Sequence, residues 1–145
     1  MHAKLPVALI AYITHDERGV LLIHRQGTDK WDGMWGFPGG RLDVSESITE
    51  WIIREVREEV GIEVERDWLT APLIVNHHDK GGERIYAIFR IDQFQGEPYN
   101  AEPEYCRAVQ WFPLSALPSP LTPQVEIVLA ALREGKSYWE WGFDE

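Results

Sequence analysis

The sequence predicts an α+β chain, α/β in the wider sense, in which a helix docks its apolar face on a β-sheet. Three observations carry this prediction. Short apolar or alternating runs recur along the chain, separated by turn residues. Two segments show helical periodicity framed by capping residues. Hydrophobic residues make up 44% of 145 residues, enough for one domain (1–145) with a core of ordinary size.

The elements follow in order. Leu5 to Thr14 is rich in Val, Ile, Leu and Ala and reads as a buried strand. His15 to Gly19 is a turn, and Val20 to Arg25 is a second strand. Gln26 to Gly36 is a loop leading through Trp35-Gly-Phe-Pro38 into Gly39-Gly40. Paired glycines permit a backbone path, and a close approach to a ligand, that side chains would block. Ser45 as N-cap and Gly61 at C′ frame a helix from about Glu46 to Val60. Ile48, Ile52 and Val56 form its apolar stripe, widened by Ile53 and Val60. Ile62 to Val75 reads as strand-rich, broken near Arg66-Asp67 and Pro72. Asn76 to Gly82 is a polar turn, and Glu83 to Phe94 is a strand. Gln95 to Glu104 is a loop, Tyr105 to Phe112 a strand, and Pro113 to Pro120 a proline-rich connection. Thr122 as N-cap and Pro123 at the first helical position open a helix to about Glu134, ended by Gly135. The tail from Ser137 holds two Trp and a Phe, which either pack on the sheet or bury a homodimer contact.

Composition narrows the partners. The net charge of −10 opposes a broad basic surface for a nucleic-acid polymer. No apolar run reaches membrane-spanning length, so no membrane partner is expected. Cys106 is the single cysteine, which excludes an intrachain disulfide and a CxxC site and reads as a small buried hydrophobe. With no signal-peptide layout at the N-terminus, a cytoplasmic location is expected.

The most informative segment is Gly40 to Ile62. Glu55, Glu58 and Glu59 stand at helical offsets that place three carboxylates on one face. Like charges that close repel, and each raises the proton affinity of its neighbours. Hard oxygen ligands of this kind suit magnesium or manganese, and so phosphate chemistry.

The spacing Gly-x5-Glu-x7-Arg-Glu-hydrophobic-x-Glu-Glu-x-Gly-hydrophobic is met at every fixed position between Gly40 and Ile62. This resembles the Nudix box, the signature of the Nudix hydrolase superfamily. Trp51 departs from it, standing where family members often carry a small residue. The resemblance implies a Nudix fold: a mixed β-sheet sandwiched between helices, with a loop-helix-loop catalytic motif. It also implies metal-assisted hydrolysis of a nucleoside diphosphate linked to another group. Carried over by position, Glu58 and Glu59 are the main metal ligands and Glu55 a ligand or the group that activates water. The Gly40 carbonyl adds a ligand, Arg54 orients a helix carboxylate, and Glu46 is structural or outer-shell. Mg2+ is the implied cofactor, with Mn2+ as an alternative.

Outside the box the chain is similar to MutT-like nucleoside triphosphate diphosphatases. The similarity lies in Leu21-Leu-Ile-His-Arg25, Trp35-Gly-Phe-Pro38, Gly96-Glu-Pro98 and Trp111-Phe-Pro113. It implies that Arg25 faces the substrate phosphates and that Glu102 is a loop carboxylate turned toward the metal or water, with Glu104 and Glu83 as alternatives for that role. Trp35, Phe37 and the Leu117 to Thr122 segment are candidates for a base slot, with Gly39 beside the substrate. Pro120-Leu-Thr-Pro-Gln124 lacks the asparagine with which some relatives select oxidised guanine. His77-His78-Asp79 reads better as a polar turn than as a metal site, because a lone adjacent pair lacks further ligands. The expected substrate is a nucleotide, foremost a nucleoside or deoxynucleoside triphosphate. Two alternatives stay open: hydrolysis of ADP-ribose, a nucleotide sugar or a dinucleotide, and a non-catalytic Nudix-fold regulator.

Overall fold

The computed structural model describes residues 1–27, 30–42 and 45–143. The parts of the predicted loop at 28–29, of the motif at 43–44 and of the tail at 144–145 lie outside the described residues. The described strands are β1 (Val7–His15), β2 (Gly19–Arg25), β3 (Trp35–Gly36), β4 (Gly39–Arg41), β5 (Leu73–Asp79), β6 (Gly82–Ile91), β7 (Cys106–Phe112) and β8 (Tyr138–Trp141). The helices are α1 (Ile48–Val60) and α2 (Pro123–Glu134).

The strands form one mixed sheet in the order β3-β2-β1-β6-β5-β8, with β4 paired to β1 and β7 to β2. β1 runs parallel to β6 and antiparallel to β2 and β4. Side chains alternate across a strand, so the sheet has two apolar faces. Leu9, Ala11 and Ile13 of β1 pack with Trp51, Ile52, Val56 and Val60 of α1. Ile10 packs on the opposite face with Val125, Ile127, Val128 and Ala131 of α2. The helices therefore cover opposite faces of the sheet. Burying one such aliphatic side chain contributes roughly 1.5–3 kcal/mol, so the stripe on α1 fixes which way its glutamates point.

Most predicted elements are present, and four boundaries differ for identifiable reasons. First, Ser47, not Ser45, caps α1: its side chain accepts the Glu50 N–H at 3.1 Å, and its hydroxyl bonds the Glu50 carboxylate. The Ser47 hydroxyl thus satisfies one of the free N–H groups at the start of the helix. Ser45 instead has φ 86°, outside the extended geometry of an N-cap. Second, Asn76 to Asp79 is not turn but the end of β5. Leu73, Val75 and His77 are buried in alternation, and pairing with β6 outweighs the polar composition. The turn is confined to Lys80-Gly81. Third, Ile62 to Trp68 holds one bridge, Glu63 to Gln95, and a 3-10 turn at Arg66–Trp68 rather than a strand. Fourth, the loop after β2 ends in the short strands β3 and β4, which long-range pairing creates.

Of the two roles expected for the Trp-rich tail, the described residues show packing on the sheet. β8 pairs parallel with β5, and Trp139 and Trp141 pack against the α2-side core. Among the described residues, no helix is long and apolar enough to cross a membrane.

Candidate active site

The site grows from the junction of β4 with α1. Gly39 has φ 141°, and a Cβ there would collide with the Leu9 carbonyl oxygen on β1. A Cβ on Gly40 would sit 3.2 Å from the Trp51 ring. The large residue that departs from the motif thus lies buried in the core directly beneath the glycine strand. The freed backbone approaches α1, and the Gly39 N–H donates to the Glu59 carboxylate at 2.8 Å.

Glu55 and Glu59 share this region. A Cβ on Gly40 would also lie 3.9 Å from Glu55 Oε2. Burial pushes the Glu55 carboxyl up to about 7, and the Glu58 charge adds to the effect while Arg54 opposes it. Burial also raises Glu59 well above the usual carboxylate range, with Glu55 adding to it; the Gly39 N–H and the Arg25 charge pull the other way. Glu58 is different. It is about half exposed and accepts two hydrogen bonds from Arg54 Nη1 at 3.1 Å.

Arg54 organises this helix face. Its Nε and Nη2 reach Glu46 at 2.6–3.1 Å, and Nη1 lies 3.7 Å from Glu55 Oε1. The guanidinium sits over the Trp51 ring, 5.5 Å from its centre. One planar fork thus holds the first box glutamate and Glu58 in a charge-assisted lattice. Glu46 is held below its ordinary range by its hydrogen bonds to Arg54.

Glu102 arrives from a distant loop. The Tyr99 and Ala101 N–H groups bond the carbonyls of Val60 and Glu59, tying this loop to the end of α1. Asn100 then bonds the Cys106 carbonyl and the Glu102 N–H. Burial raises the Glu102 carboxyl, and Glu58 and Glu104 raise it further. Ile23, Arg25, Gly39, Gly40, Glu59 and Glu102 line one cleft of about 330 Å³. The Arg25 Nε is buried there with no hydrogen-bond partner among the described residues.

A second cavity of about 540 Å³ adjoins the first across Arg25, Gly39 and Gly40. Phe37, Tyr86, Trp31 and Gln124 are among the residues that line it. Trp35 takes another place: it stacks on His24 at 4.5 Å and meets Phe112 edge-on, as part of the α2-side core. Tyr105 and Cys106 also line the smaller cleft, and sequence reasoning missed both as site residues. Their signal lies in the pairing of Arg25 with Cys106 across a register shift between β2 and β7, which no local pattern displays. Cys106 is otherwise as expected, 5% exposed within the α1-side core.

The donor chemistry fits a hard divalent cation. Glu55, Glu59 and Glu102 are partly buried acids, each with its proton affinity raised by burial and by a neighbouring acid. A bound cation would relieve both effects. Among the described residues, however, no three acidic, histidine or cysteine side chains are already gathered around one point. Arg54 holds Glu58, and Gly39 holds Glu59, so these carboxylates are engaged by protein groups.

Comparison with known proteins places this geometry. The NUDIX domain model matches residues 4–132. A CTP pyrophosphohydrolase of Escherichia coli (strain K12) is 28% identical over 120 residues, covering 81% of this chain and 84% of that protein. An ADP-ribose pyrophosphatase of Methanocaldococcus jannaschii is 24% identical over 136 residues, covering 94% and 75%. The chain spans between 34% and 47% of the length of several longer curated relatives. A solved MutT NUDIX hydrolase from Burkholderia pseudomallei superposes with a TM-score of 0.77 at 35% identity, over 90% of this chain and 99% of the other. With the box intact, its helix docked and its glycine strand against the carboxylates, the chain belongs to the Nudix family as a MutT-like Nudix hydrolase.

Proposed function

We propose that the chain hydrolyses a phosphoanhydride bond in nucleoside or deoxynucleoside triphosphates, releasing a monophosphate and pyrophosphate. One observation carries this reading. The Arg25 guanidinium, with an unpartnered buried Nε, and the Glu59 carboxylate share one cleft beneath the glycine strand. A cation beside a cluster of hard-oxygen donors is what a polyphosphate and its counter-ion require. The E. coli relative is named a CTP pyrophosphohydrolase, which agrees with a triphosphate substrate.

Glu58 and Glu59, with the Gly40 carbonyl, would hold Mg2+ or Mn2+, joined by Glu55 and Glu102. The bound ion would neutralise phosphate charge and lower the pKa of water. Arg25 supplies a fixed positive charge to the phosphates. Arg54 positions Glu58 through Nη1 while its Nε and Nη2 hold Glu46. Glu55 serves either as a further ligand or as the group that activates water. The archaeal relative favours a second reading, in which the substrate is ADP-ribose or a similar nucleoside diphosphate derivative.

Purified protein with magnesium or manganese, given CTP, the other triphosphates and ADP-ribose, decides between these readings by product identity. Pyrophosphate release is expected, nearly abolished in Glu58→Gln and Glu59→Gln with the fold intact. Undiminished turnover in both variants, or cleavage of ADP-ribose alone, overturns the proposal.

A further inference from the structure

The cleft lined by Arg25 and Glu59 opens into the 540 Å³ cavity and does not end there. A further cavity of about 500 Å³ continues it, sharing Trp31, Tyr86, Arg84 and Gln124 with the 540 Å³ one. Its own walls come from the β5–β6 hairpin, through His77, Asp79 and Lys80, and from α2, through Pro123 and Ile127.

Two independent features point to a ligand there. The first is His77, which is 6% exposed and lines the cavity. Its Nδ1 is buried without a partner, and neither ring nitrogen makes a hydrogen bond among the described residues. Its one ring contact is with Tyr86, 5.7 Å between centres. Native structures keep few buried polar atoms unpaired without a reason. The second is charge. Lys4, Arg25, Lys30, Arg41, Lys80 and Arg84 line the two larger cavities, six of the fourteen Lys and Arg in the chain. Among the described residues, Asp79 and Glu83 are the acids beside them, out of twenty-four in the sequence. A chain of net charge −10 thus concentrates cations along one groove. Asp79 is itself engaged, by the Gly81 N–H at 2.7 Å and Arg84 Nη2 at 3.1 Å. That pairing fixes the Arg84 fork at the cavity wall.

We propose that this hairpin cavity is an anion subsite for a second phosphate on the substrate, remote from the anhydride that is cleaved. His77, Arg84 and Lys80 supply its donors. The preferred nucleotide then carries a phosphate on its ribose 2′- or 3′-hydroxyl as well as the 5′-polyphosphate, with the nucleoside spanning Tyr86 and Trp31. This rests on the reading of the Arg25–Glu59 cleft as the site of the 5′-phosphates.

Binding separates the two ideas, because it needs no turnover. Calorimetric titration with AMP and with adenosine 3′,5′-bisphosphate and 2′,5′-bisphosphate, in magnesium at low salt, compares ligands that differ by one phosphate. The added phosphate is expected to tighten binding about tenfold, as a charge-assisted contact does, and the gain should shrink with salt. The gain should fall to near unity in His77→Phe, which keeps a ring against Tyr86, and in Arg84→Gln. Ring nitrogen resonances of His77 should move with a bisphosphate and not with AMP. Equal affinity for all three ligands in the wild type overturns the subsite, as does a gain that persists in both variants. A bisphosphate preference without any triphosphate cleavage overturns the proposed reaction and leaves the subsite standing.

Discussion

Replacing Glu55 by Gln tests the electrostatics of the helix face directly. The Glu55 side chain is 16% exposed, and its carboxyl is raised from 4.5 to about 7, chiefly by burial and then by Glu58. A group whose folded pKa lies above its unfolded value binds more protons when folded. Its contribution is therefore present in full below about 4.5 and is lost as pH rises to about 7. At roughly 1.4 kcal/mol per pH unit, the ceiling is about 3 kcal/mol. Solvent screening at an open cleft lowers this, and the interval from pH 5.5 to 8 captures only its upper part, leaving roughly 1 kcal/mol. The assay is urea unfolding followed by tryptophan fluorescence, with a chelator present. Wild type should lose stability from pH 5.5 to 8, and Glu55→Gln should lose about 1 kcal/mol less. Added magnesium should stabilise the wild type more than the variant, since a ligand at a hundred times its Kd contributes about 2.7 kcal/mol. Parallel pH profiles for the two proteins would refute the assignment of a buried, proton-binding carboxylate to this position.

Three further predictions follow from the same geometry. Ser47→Ala should cost about 1 kcal/mol in urea unfolding by removing the cap, whereas Ser45→Gly, at φ 86°, should be neutral or stabilising by about 0.5 kcal/mol; the reverse order would restore Ser45 as the cap. Gly39→Ala should destabilise by about 2 kcal/mol or more and abolish turnover, because its Cβ meets the Leu9 carbonyl and displaces the donor to Glu59. Arg54→Lys should leave unfolding within about 1 kcal/mol of wild type, as exposed ion pairs contribute little. It should nevertheless lower kcat at saturating magnesium, because a point charge does not reproduce the fork that holds Glu46 and Glu58.

The helix α1 shows where local reading succeeds and where it slips. Its apolar stripe and Gly61 end follow from periodicity and from a left-handed cap at φ 72°. Its start is less plain, because Ser45 and Ser47 look alike as caps; the choice rests on Glu50, whose N–H and carboxylate both bond the Ser47 hydroxyl. The segment around His77 failed for the opposite reason. Its composition is that of a turn, yet β6 on one side and β8 on the other supply the backbone partners that make it strand.

The sequence by itself determined the family and the acidic helix face on which its motif rests. Carboxylate spacing, paired glycines and Arg54 are local, and the helical repeat converts local spacing into a common face without any knowledge of the fold. Tertiary structure decided what that face meets. It brought Glu102, Tyr105 and Cys106 to the cleft through loop and strand pairings some forty residues or more from the box carboxylates. It turned Trp35 into the core and opened a cationic groove that ends at an unpartnered His77. Those outcomes depend on register and packing between distant segments, and a one-dimensional pattern carries no record of which strand will lie beside which.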